Sequence, residues 1–327
     1  MEPPVRSRRA LGQAMEFQMW TELINQSGGL LHIFLPLLDN GLDAVVHRLT
    51  DGEYIALQVK GRGRMVGRMV EVTIRGYSLV DDRALIIAGL LTDQGPGPTL
   101  LVVDEGTFKR LATHTVFRGM DIYSTDFAMH PTAEDRWQTH LVPREGLAAR
   151  LLGTEPPLAS PEALDVDVGL EPRDRHNEWL GFLGESEVIR QLAENSQLDL
   201  FRPFPDLELV EVLARDNLSG RFTGLQVKTA TSARYGEAQV HVRKATFVAA
   251  PSTWLIGLAW LPDARRFSTE CLLIPTERLR EIAWDDGERL VLEFRPESPE
   301  RTRLDPYRKR LPELGTLIAG ITAGSSM

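Results

Sequence analysis

A four-residue stretch occurs twice in this chain and constrains its fold more than any other feature. Leu57-Gln58-Val59-Lys60 returns as Leu225-Gln226-Val227-Lys228, 168 residues later. Other pairs of similar residues keep this separation to within one position: Asp43 and Glu211, Arg75 and Arg243, Gly89 and Gly257, Glu16 and Glu185, and Pro36 and Pro203. A repeat of this length predicts two copies of one domain and excludes a solenoid of short units.

The length of the chain agrees with such a duplication. Its 327 residues suit two domains, each large enough to bury its own core. We predict a first domain over residues 1–152 and a second domain over residues 176–327. Residues 153–175 are rich in proline and acidic side chains, a composition typical of a linker.

Composition and apolar runs narrow the class of protein. Hydrophobic residues make up 43% of the chain and charged residues 25%, which is typical of a globular protein. The single cysteine, Cys271, excludes a disulfide framework and a cysteine zinc site, and it fits a reducing cytoplasm. The apolar runs at residues 85–91 and 254–261 are too short to span a membrane, and residues 1–15 lack a run of signal-peptide length. We therefore expect a cytoplasmic protein with no membrane partner.

Hydrophobic periodicity predicts helices and strands in each half. Apolar residues spaced four apart indicate a helix over residues 11–25, and residues 179–194 repeat it. Apolar and alternating runs then predict a hairpin at residues 41–62 and further strands, and the same order follows in the second copy. The predicted fold class is α/β, with a mixed central sheet flanked by helices in each domain.

Three further segments lie outside the regular pattern of helices and strands. Residues 1–9, with their prolines and arginines, are predicted to be a flexible basic start. Residues 115–150 show little periodicity and receive no role. In the second copy, Thr276 is the expected N-cap of a helix, and the last few residues of GTLIAGITAGSSM are expected to be disordered.

Three polar residues interrupt the apolar pattern of the central hairpin. Gln58 and Lys60 are two apart, so their side chains share one face of a strand. Pairing with the preceding strand can bring Asp43 to that face. Such groups are rarely buried unless they are paired or bound to a metal, so the pattern predicts a site for a cation and a phosphate.

Basic residues gather beside this predicted site although the net charge of the chain is −9. Residues 60–75 contain five basic side chains against Glu71 alone, and the second copy has a weaker excess. Such a run is either a solvated face or a nucleic-acid contact, and distribution matters more than net charge. The candidate nucleic-acid-binding residues are Arg62, Arg64, Arg68 and Arg75.

The order of these features resembles the PD-(D/E)XK nuclease superfamily, and most closely its Mrr-type and Holliday-junction-resolvase-like branches. A helix with a glutamate is followed by strands that carry an acid and a Q-x-K pair. The matching residues are Glu16, Gly41, Asp43, Gln58 and Lys60 in the first copy, and Glu185, Glu211, Gln226 and Lys228 in the second. The resemblance implies a tandem duplication of a restriction-endonuclease-like domain.

The resemblance also implies roles for these residues. Asp43 and the Gln58 carbonyl would hold Mg²⁺ or Mn²⁺, as would Glu211 and Gln226 in the second copy. Lys60 would orient or deprotonate a water molecule and stabilise the developing charge, and Glu16 would assist. Lys228 and Glu185 are their counterparts.

Two departures from the family pattern leave alternatives open. Glutamine replaces the usual acid, which removes a negative charge, and the second copy has Glu for Asp and lacks the preceding glycine. The first hypothesis is therefore a metal-dependent nuclease, acting on DNA rather than RNA, in prokaryotic defence or DNA processing. The alternative is an inactive nuclease-fold protein that binds nucleic acid or serves as a scaffold, with a protein partner or a second copy of itself.

Overall fold

The computed structural model describes residues 8–38, 41–92, 95–131, 135–153, 175–204, 210–232, 236–244, 247, 249–300 and 302–324. The chain divides into two compact units, Met1–Asp165 and Val166–Met327. The division falls inside the predicted linker, of which residues 154–174 lie outside the described residues, as do residues 1–7 of the predicted basic start. Among the described residues, no helix combines the length and apolar character needed to cross a membrane.

The first unit contains three helices and nine strands in its described residues. In chain order these are α1 (Arg8–Ser27), β1 (Leu31–Pro36), β2 (Ala44–Arg48), β3 (Glu53–Arg62), β4 (Met69–Arg75), β5 (Leu85–Thr92), β6 (Gly95–Asp104), α2 (Glu105–Leu111), β7 (Thr113–Phe117), β8 (Met120–Ala128), β9 (Leu141–Pro143) and α3 (Leu147–Leu152). The main sheet has the order β1-β2-β3-β5-β6-β9. Its β3–β5 pair is parallel and the others are antiparallel. An antiparallel sheet, β4-β8-β7, packs on it.

Burial patterns explain why these segments form these elements. Met15, Met19 and Leu23 form the fully buried stripe of α1. Strand β5 is buried on six consecutive residues because both of its faces are covered, whereas β4 alternates between buried and exposed positions. Helix α1 approaches β5 at Gly89, where an added Cβ would lie 2.9 Å from the Cε atom of Met15. Glycine at this position therefore permits the close contact between helix and sheet.

The second unit repeats this order of elements. These are α4 (Arg175–Ala193), β10 (Leu198–Phe204), β11 (Val212–Asp216), β12 (Phe222–Thr231), β13 (Ala238–Arg243), β14 (Thr253–Leu261), β15 (Arg266–Pro275), α5 (Leu279–Ile282), β16 (Trp284–Asp285), β17 (Arg289–Phe294), β18 (Arg308–Arg310) and α6 (Leu314–Ala323). Its main sheet has the order β10-β11-β12-β14-β15-β18, with a parallel β12–β14 pair. Its small sheet is β13-β17-β16.

Each element of the first unit thus has a counterpart with the same pairing in the second. The match extends to single hydrogen bonds, because Asp43 N donates to Leu57 O at 2.9 Å and Glu211 N donates to Leu225 O at 3.0 Å. The predicted α/β class, with a mixed central sheet flanked by helices in each half, is confirmed.

One equivalence proposed from the sequence is wrong. Strand register pairs Lys60 with Ala88, and it pairs Lys228 with Gly257. Gly257 is therefore the counterpart of Ala88, and Gly89 corresponds to Leu258. Strand register makes Trp254 the counterpart of Leu85, because they pair with Leu225 and Leu57. The separation therefore grows from 168 residues at Arg75 and Arg243 to 169 residues at Leu85 and Trp254.

The expected N-cap role of Thr276 is also wrong. Residues Thr276–Arg278 form a short 3-10 turn before α5. The buried Thr276 hydroxyl accepts a hydrogen bond from Ala250 N and lies 3.0 Å from the Thr253 carbonyl oxygen. Its role is to hold the segment before β14 rather than to cap a helix.

The small-residue segment near the C-terminus contains a helix that the sequence analysis missed. Helix α6 buries Leu314, Ile318 and Ala319 in the core of the second unit. A Cβ added at Gly315 would lie 2.7 Å from the Gln191 carbonyl oxygen, so small residues let α6 approach α4 closely. The last three residues lie outside the described part of the chain.

Candidate functional site

Asp43 and Lys60 lie together on one face of the first main sheet. Asp43 directly precedes β2, and its Oδ2 atom accepts a hydrogen bond of 2.6 Å from Val59 N. The Lys60 Nζ atom lies 3.5 Å from the same oxygen, and the two side chains are 23% and 25% exposed. The pair is therefore anchored to the backbone of β3 but still reached by solvent.

Gln58 is held beside this pair by both hydrogens of its side-chain amide. Its Nε2 atom donates to the carbonyl oxygens of Gly41 and Ser78 at 2.8 and 2.7 Å. Gln58 is only 1% exposed, and its Oε1 atom has no hydrogen-bond partner among the described residues. A buried amide oxygen without a partner is costly, so this atom is a candidate ligand for a cation.

The segment that contributes the Ser78 carbonyl is fastened by α2. Lys109 Nζ donates to Leu79 O at 3.2 Å and to Asp82 Oδ1 at 2.6 Å. Glu105 Oε2 accepts a hydrogen bond of 3.1 Å from Asp81 N. The two α2 side chains thus hold both sides of the loop that orients Gln58.

Glu105 itself is an unusual buried acid. It is fully buried, and its Oε1 atom has no partner among the described residues. Burial raises the pKa of Glu105 to about 7, although Asp81 N and Lys109 oppose the shift. The sequence analysis missed this residue because a glutamate in the first turn of a helix is an ordinary helix-dipole feature.

The remaining predicted residues of the first unit have different surroundings. Glu16 is half-buried on α1, which packs against β3. Arg62 donates to the carbonyl oxygens of Glu71 and Thr73 at 2.7 and 2.9 Å, so it braces β4 against the end of β3. Arg64, Arg68 and Arg75 are exposed, and Arg75 donates to the Tyr77 hydroxyl at 2.8 Å.

The counterpart site in the second unit is more closed. Glu211 Oε2 accepts from Val227 N at 2.9 Å, and Lys228 Nζ lies only 2.6 Å from Glu211 Oε1. The Glu211 side chain is 10% exposed, less than half the value for Asp43. Burial raises the pKa of Glu211, Lys228 opposes the shift, and the negative charge of Glu185 adds to it.

The other predicted residues of the second unit also lie near this pair. Glu185, on α4, forms a 3.3 Å ion pair with Arg202, and its negative charge adds slightly to the raised pKa of Glu211. Gln226 is buried on β12, at the position of Gln58. The second unit therefore retains the arrangement of the first but with its acid tightly paired to its own lysine.

The donor set of the first unit fits a hard divalent cation. The described residues contain no group of three histidine, cysteine, aspartate or glutamate side chains that could hold a metal. However, Mg²⁺ commonly binds through one or two protein oxygens and completes its shell with water and phosphate oxygens. A carboxylate at Asp43 and an unpartnered amide oxygen at Gln58 are ligands of this kind, while the Lys60 charge opposes the cation.

Comparisons with known proteins do not assign the chain to a family. No protein-family model and no curated protein matches the chain. One solved structure, that of the bacterial homing endonuclease I-Ssp6803I, is similar at 17% identity over 45% of this chain and 93% of that chain, with a TM-score of 0.31. A likeness of this size supports no assignment, so the functional argument depends on the residues of the site.

Proposed function

We propose that the first unit hydrolyses phosphodiester bonds in nucleic acid, DNA rather than RNA, with the help of Mg²⁺ or Mn²⁺. The observation that carries the proposal is the buried Oε1 atom of Gln58, which lacks a partner among the described residues. Gln58 is on the strand that carries Lys60, two residues from this partner of Asp43. Oxygen ligands and a cation at one place suit a phosphate group and its counterion.

Each side chain has a defined task in this proposal. Gln58, held by Gly41 O and Ser78 O, and Asp43, held by Val59 N, would bind the cation through oxygen. When bound, the cation would polarise the phosphate and offset its charge. Lys60 would donate a hydrogen bond to a phosphate oxygen or to the attacking water, and Glu16 would assist through water.

The reaction is a simple hydrolysis at phosphorus. The water oxygen forms a bond to phosphorus while the bond from phosphorus to one ester oxygen breaks. That oxygen takes a proton, so the products are one phosphomonoester and one hydroxyl group. Lys60 would stabilise the negative charge that grows on the phosphate during this exchange.

The difference between the units favours activity in the first one. Lys228 and Glu211 are in direct contact at 2.6 Å, whereas Lys60 and Asp43 are 3.5 Å apart and more exposed. Because burial also favours the protonated form of Glu211, this residue is a weaker cation ligand than Asp43. The second unit is therefore proposed to be degenerate.

A cleavage assay with matched variants tests the proposal. Plasmid, linear and branched DNA and RNA are incubated with the protein in Mg²⁺ or Mn²⁺, alongside Lys60→Ala and Lys228→Ala. Cleavage should disappear in Lys60→Ala and persist in Lys228→Ala. Cleavage that survives Lys60→Ala would contradict the assignment of the site.

A specific observation also favours an inactive nucleic-acid-binding or scaffold protein as a second candidate. Both units have glutamine where a second carboxylate would hold the cation, and both acids pair with their own lysine. Salt-sensitive binding without cleavage would favour this second candidate. The slope of the logarithm of the binding constant against the logarithm of the salt concentration reports the number of phosphates contacted. Absence of binding at low salt would leave the scaffold role.

A further inference from the structure

The first unit contains an apolar cavity near its arginine-rich loop. The cavity has a volume of about 510 Å³. Its apolar lining comprises Met65, Met69, Leu90, Pro98, Ala128 and Met129. Arg68 and His130, both exposed, line it as well, so basic and apolar side chains meet there.

Strand register relates this cavity to the candidate site. Leu90 is paired with Arg62, two residues beyond the pair formed by Lys60 and Ala88. Paired residues share a sheet face, so the Leu90 wall and Lys60 are on the same face, about 7 Å apart along the strands. A ligand at Lys60 could therefore extend toward the cavity along the strand direction.

The second unit has an ion-pair network where the first has this cavity. Met69 and Ala128 form a register pair whose counterparts are Glu237 and Arg295. These two are ion-paired, with Arg295 Nε donating to Glu237 Oε1 at 3.0 Å. The apolar cavity is thus a feature of the unit with the more open Asp43–Lys60 pair.

Other counterparts in the second unit follow the same pattern. Thr269 and Glu297 occupy the positions of Pro98 and His130, and Thr269 N donates to Glu297 Oε1 at 2.9 Å. In the second unit these polar side chains are thus hydrogen-bonded within the protein. In the first unit the same positions carry apolar side chains and the basic residue His130, and Arg68 lies beside them. The difference points to a ligand with an apolar body and a negative charge next to it.

We propose that this cavity receives an unstacked nucleobase of the nucleic acid whose phosphate lies at Asp43 and Lys60, so that the substrate is single-stranded or locally unpaired. The inference rests on the proposed function. Methionine side chains are flexible and polarisable, and enzymes that act on unpaired nucleotides hold the base between apolar or aromatic groups. Arg68, together with Arg64 on the same loop, supplies positive charge for the adjoining phosphates.

The mouth of the cavity supports this occupant. Met65 is 44% exposed and Val66 is 51% exposed, on a loop that also exposes two arginines. Exposed apolar side chains between arginines suit a single strand of nucleic acid, in which bases and phosphates alternate. Met129, another residue of the lining, is nearly buried, and its Cε atom lies close to Gly97 on β6.

The second unit supplies the variant that tests the proposal. Met69→Glu combined with Ala128→Arg introduces the ion pair of the second unit, fills the cavity and leaves the net charge unchanged. The reciprocal double variant, Glu237→Met with Arg295→Ala, is the matched control. Binding is measured without divalent cation, so that no strand is cut, on an oligonucleotide carrying one fluorescent purine analogue, on its abasic version and on the duplex.

We expect the filled variant to lose about tenfold in affinity for the single strand, together with the fluorescence change of the analogue. The salt dependence should stay the same, since no phosphate contact is removed, and the abasic strand should bind both proteins equally. The control variant should behave as wild type.

Two contrary results are distinguishable. If wild type and the filled variant bind the single strand equally while cleavage still depends on Lys60, the cavity does not hold a base but the proposed function stands. If wild type binds no nucleic acid at all, the proposed function fails and this inference fails with it.

Discussion

The side-chain nitrogen of Gln58 donates to the carbonyl oxygen of Ser78 at 2.7 Å, and this contact sets which way the amide oxygen points. The loop that carries Ser78 is held in turn by Glu105, which accepts from Asp81 N at 3.1 Å. In the second unit a neutral residue holds the corresponding loop. Ala250, the counterpart of Asp81, donates its backbone N–H to the Thr276 hydroxyl at 3.1 Å. A buried acid is therefore not required by the fold itself, which makes the ionisation of Glu105 a distinctive property of the first unit.

Gln58→Glu should strengthen cation binding and weaken the fold. A carboxylate adds the missing negative charge, but it cannot donate to Gly41 O and Ser78 O, which would then face an acceptor. We expect a destabilisation of about 2 kcal/mol and a lower Mg²⁺ concentration at half-maximal activity. Denaturant unfolding and a Mg²⁺ titration measure the two effects. An unchanged Mg²⁺ requirement would show that Gln58 is not a cation ligand.

Removal of the two lysines should affect stability unequally. Lys228→Met leaves the buried Glu211 without its direct partner, and we expect a loss of about 2–4 kcal/mol. Lys60→Met removes a longer, more exposed ion pair, for which we expect less than about 1 kcal/mol. Denaturant unfolding at neutral pH compares them. Equal losses would mean that the second site is no more tightly closed than the first.

Glu105 should make the protein less stable as the pH rises toward neutrality. Burial raises its pKa to about 7, so the folded state holds a proton that the unfolded state releases near pH 4.5. The contribution is therefore complete below pH 4.5 and disappears as the pH rises through 7, a loss of about 3 kcal/mol. The free energy of unfolding of Glu105→Gln, measured between pH 4.5 and 7.5, should lack this decline. A decline that persists in the variant would assign it to another group.

His47 should have the opposite pH dependence. Its ring is buried, stacks on Tyr54 at a centroid distance of 4.3 Å and has no hydrogen-bond partner for either nitrogen among the described residues. Burial and the neighbouring His32 lower the pKa of His47 to about 4. Its contribution is therefore present above the unfolded value of about 6.5 and is lost as the pH falls through 4, about 3 kcal/mol in all.

His47→Phe isolates this effect because it keeps an aromatic ring on Tyr54 without a titrating group. We expect the variant to be more resistant than wild type to unfolding between pH 6 and 4, as followed by circular dichroism. Equal acid sensitivity in both proteins would show that the ring does not stay neutral in the folded state.

Gly184 in the second unit should tolerate no side chain while Thr229 is present. An added Cβ would collide with the Thr229 hydroxyl, and the corresponding positions of the first unit carry methionine on the helix and glycine on the strand. Gly184→Ala should lose about 1–3 kcal/mol, and Thr229→Gly in the same chain should restore much of it. Thermal unfolding of the two single variants and the double variant gives the coupling. Additive effects would argue against this direct contact.

Particular residues show how far sequence reasoning reached. Asp43, Gln58 and Lys60 were chosen because alternation places polar groups on one strand face, and the structure brings Asp43 and Lys60 to 3.5 Å. Helix α6 was missed because its small residues look unstructured until they are seen packed against α4. Gly257 was matched to Gly89 instead of Ala88, since a shift of one residue between two strands cannot be seen without the strand register.

The sequence by itself determined the repeat of residues across the two halves, the order of the helix and strands around each central hairpin, and the presence of an acid, an amide and a lysine in each half. These features follow from local periodicity and from a constant separation along the chain. Both can be read from the amino-acid sequence without knowledge of the fold. Only the tertiary structure decided the orientation of the Gln58 amide, the ionisation of Glu105 and the apolar cavity beyond Lys60. Each depends on which backbone carbonyls, charges and side chains from distant segments surround one atom, and burial sets the energy of that environment.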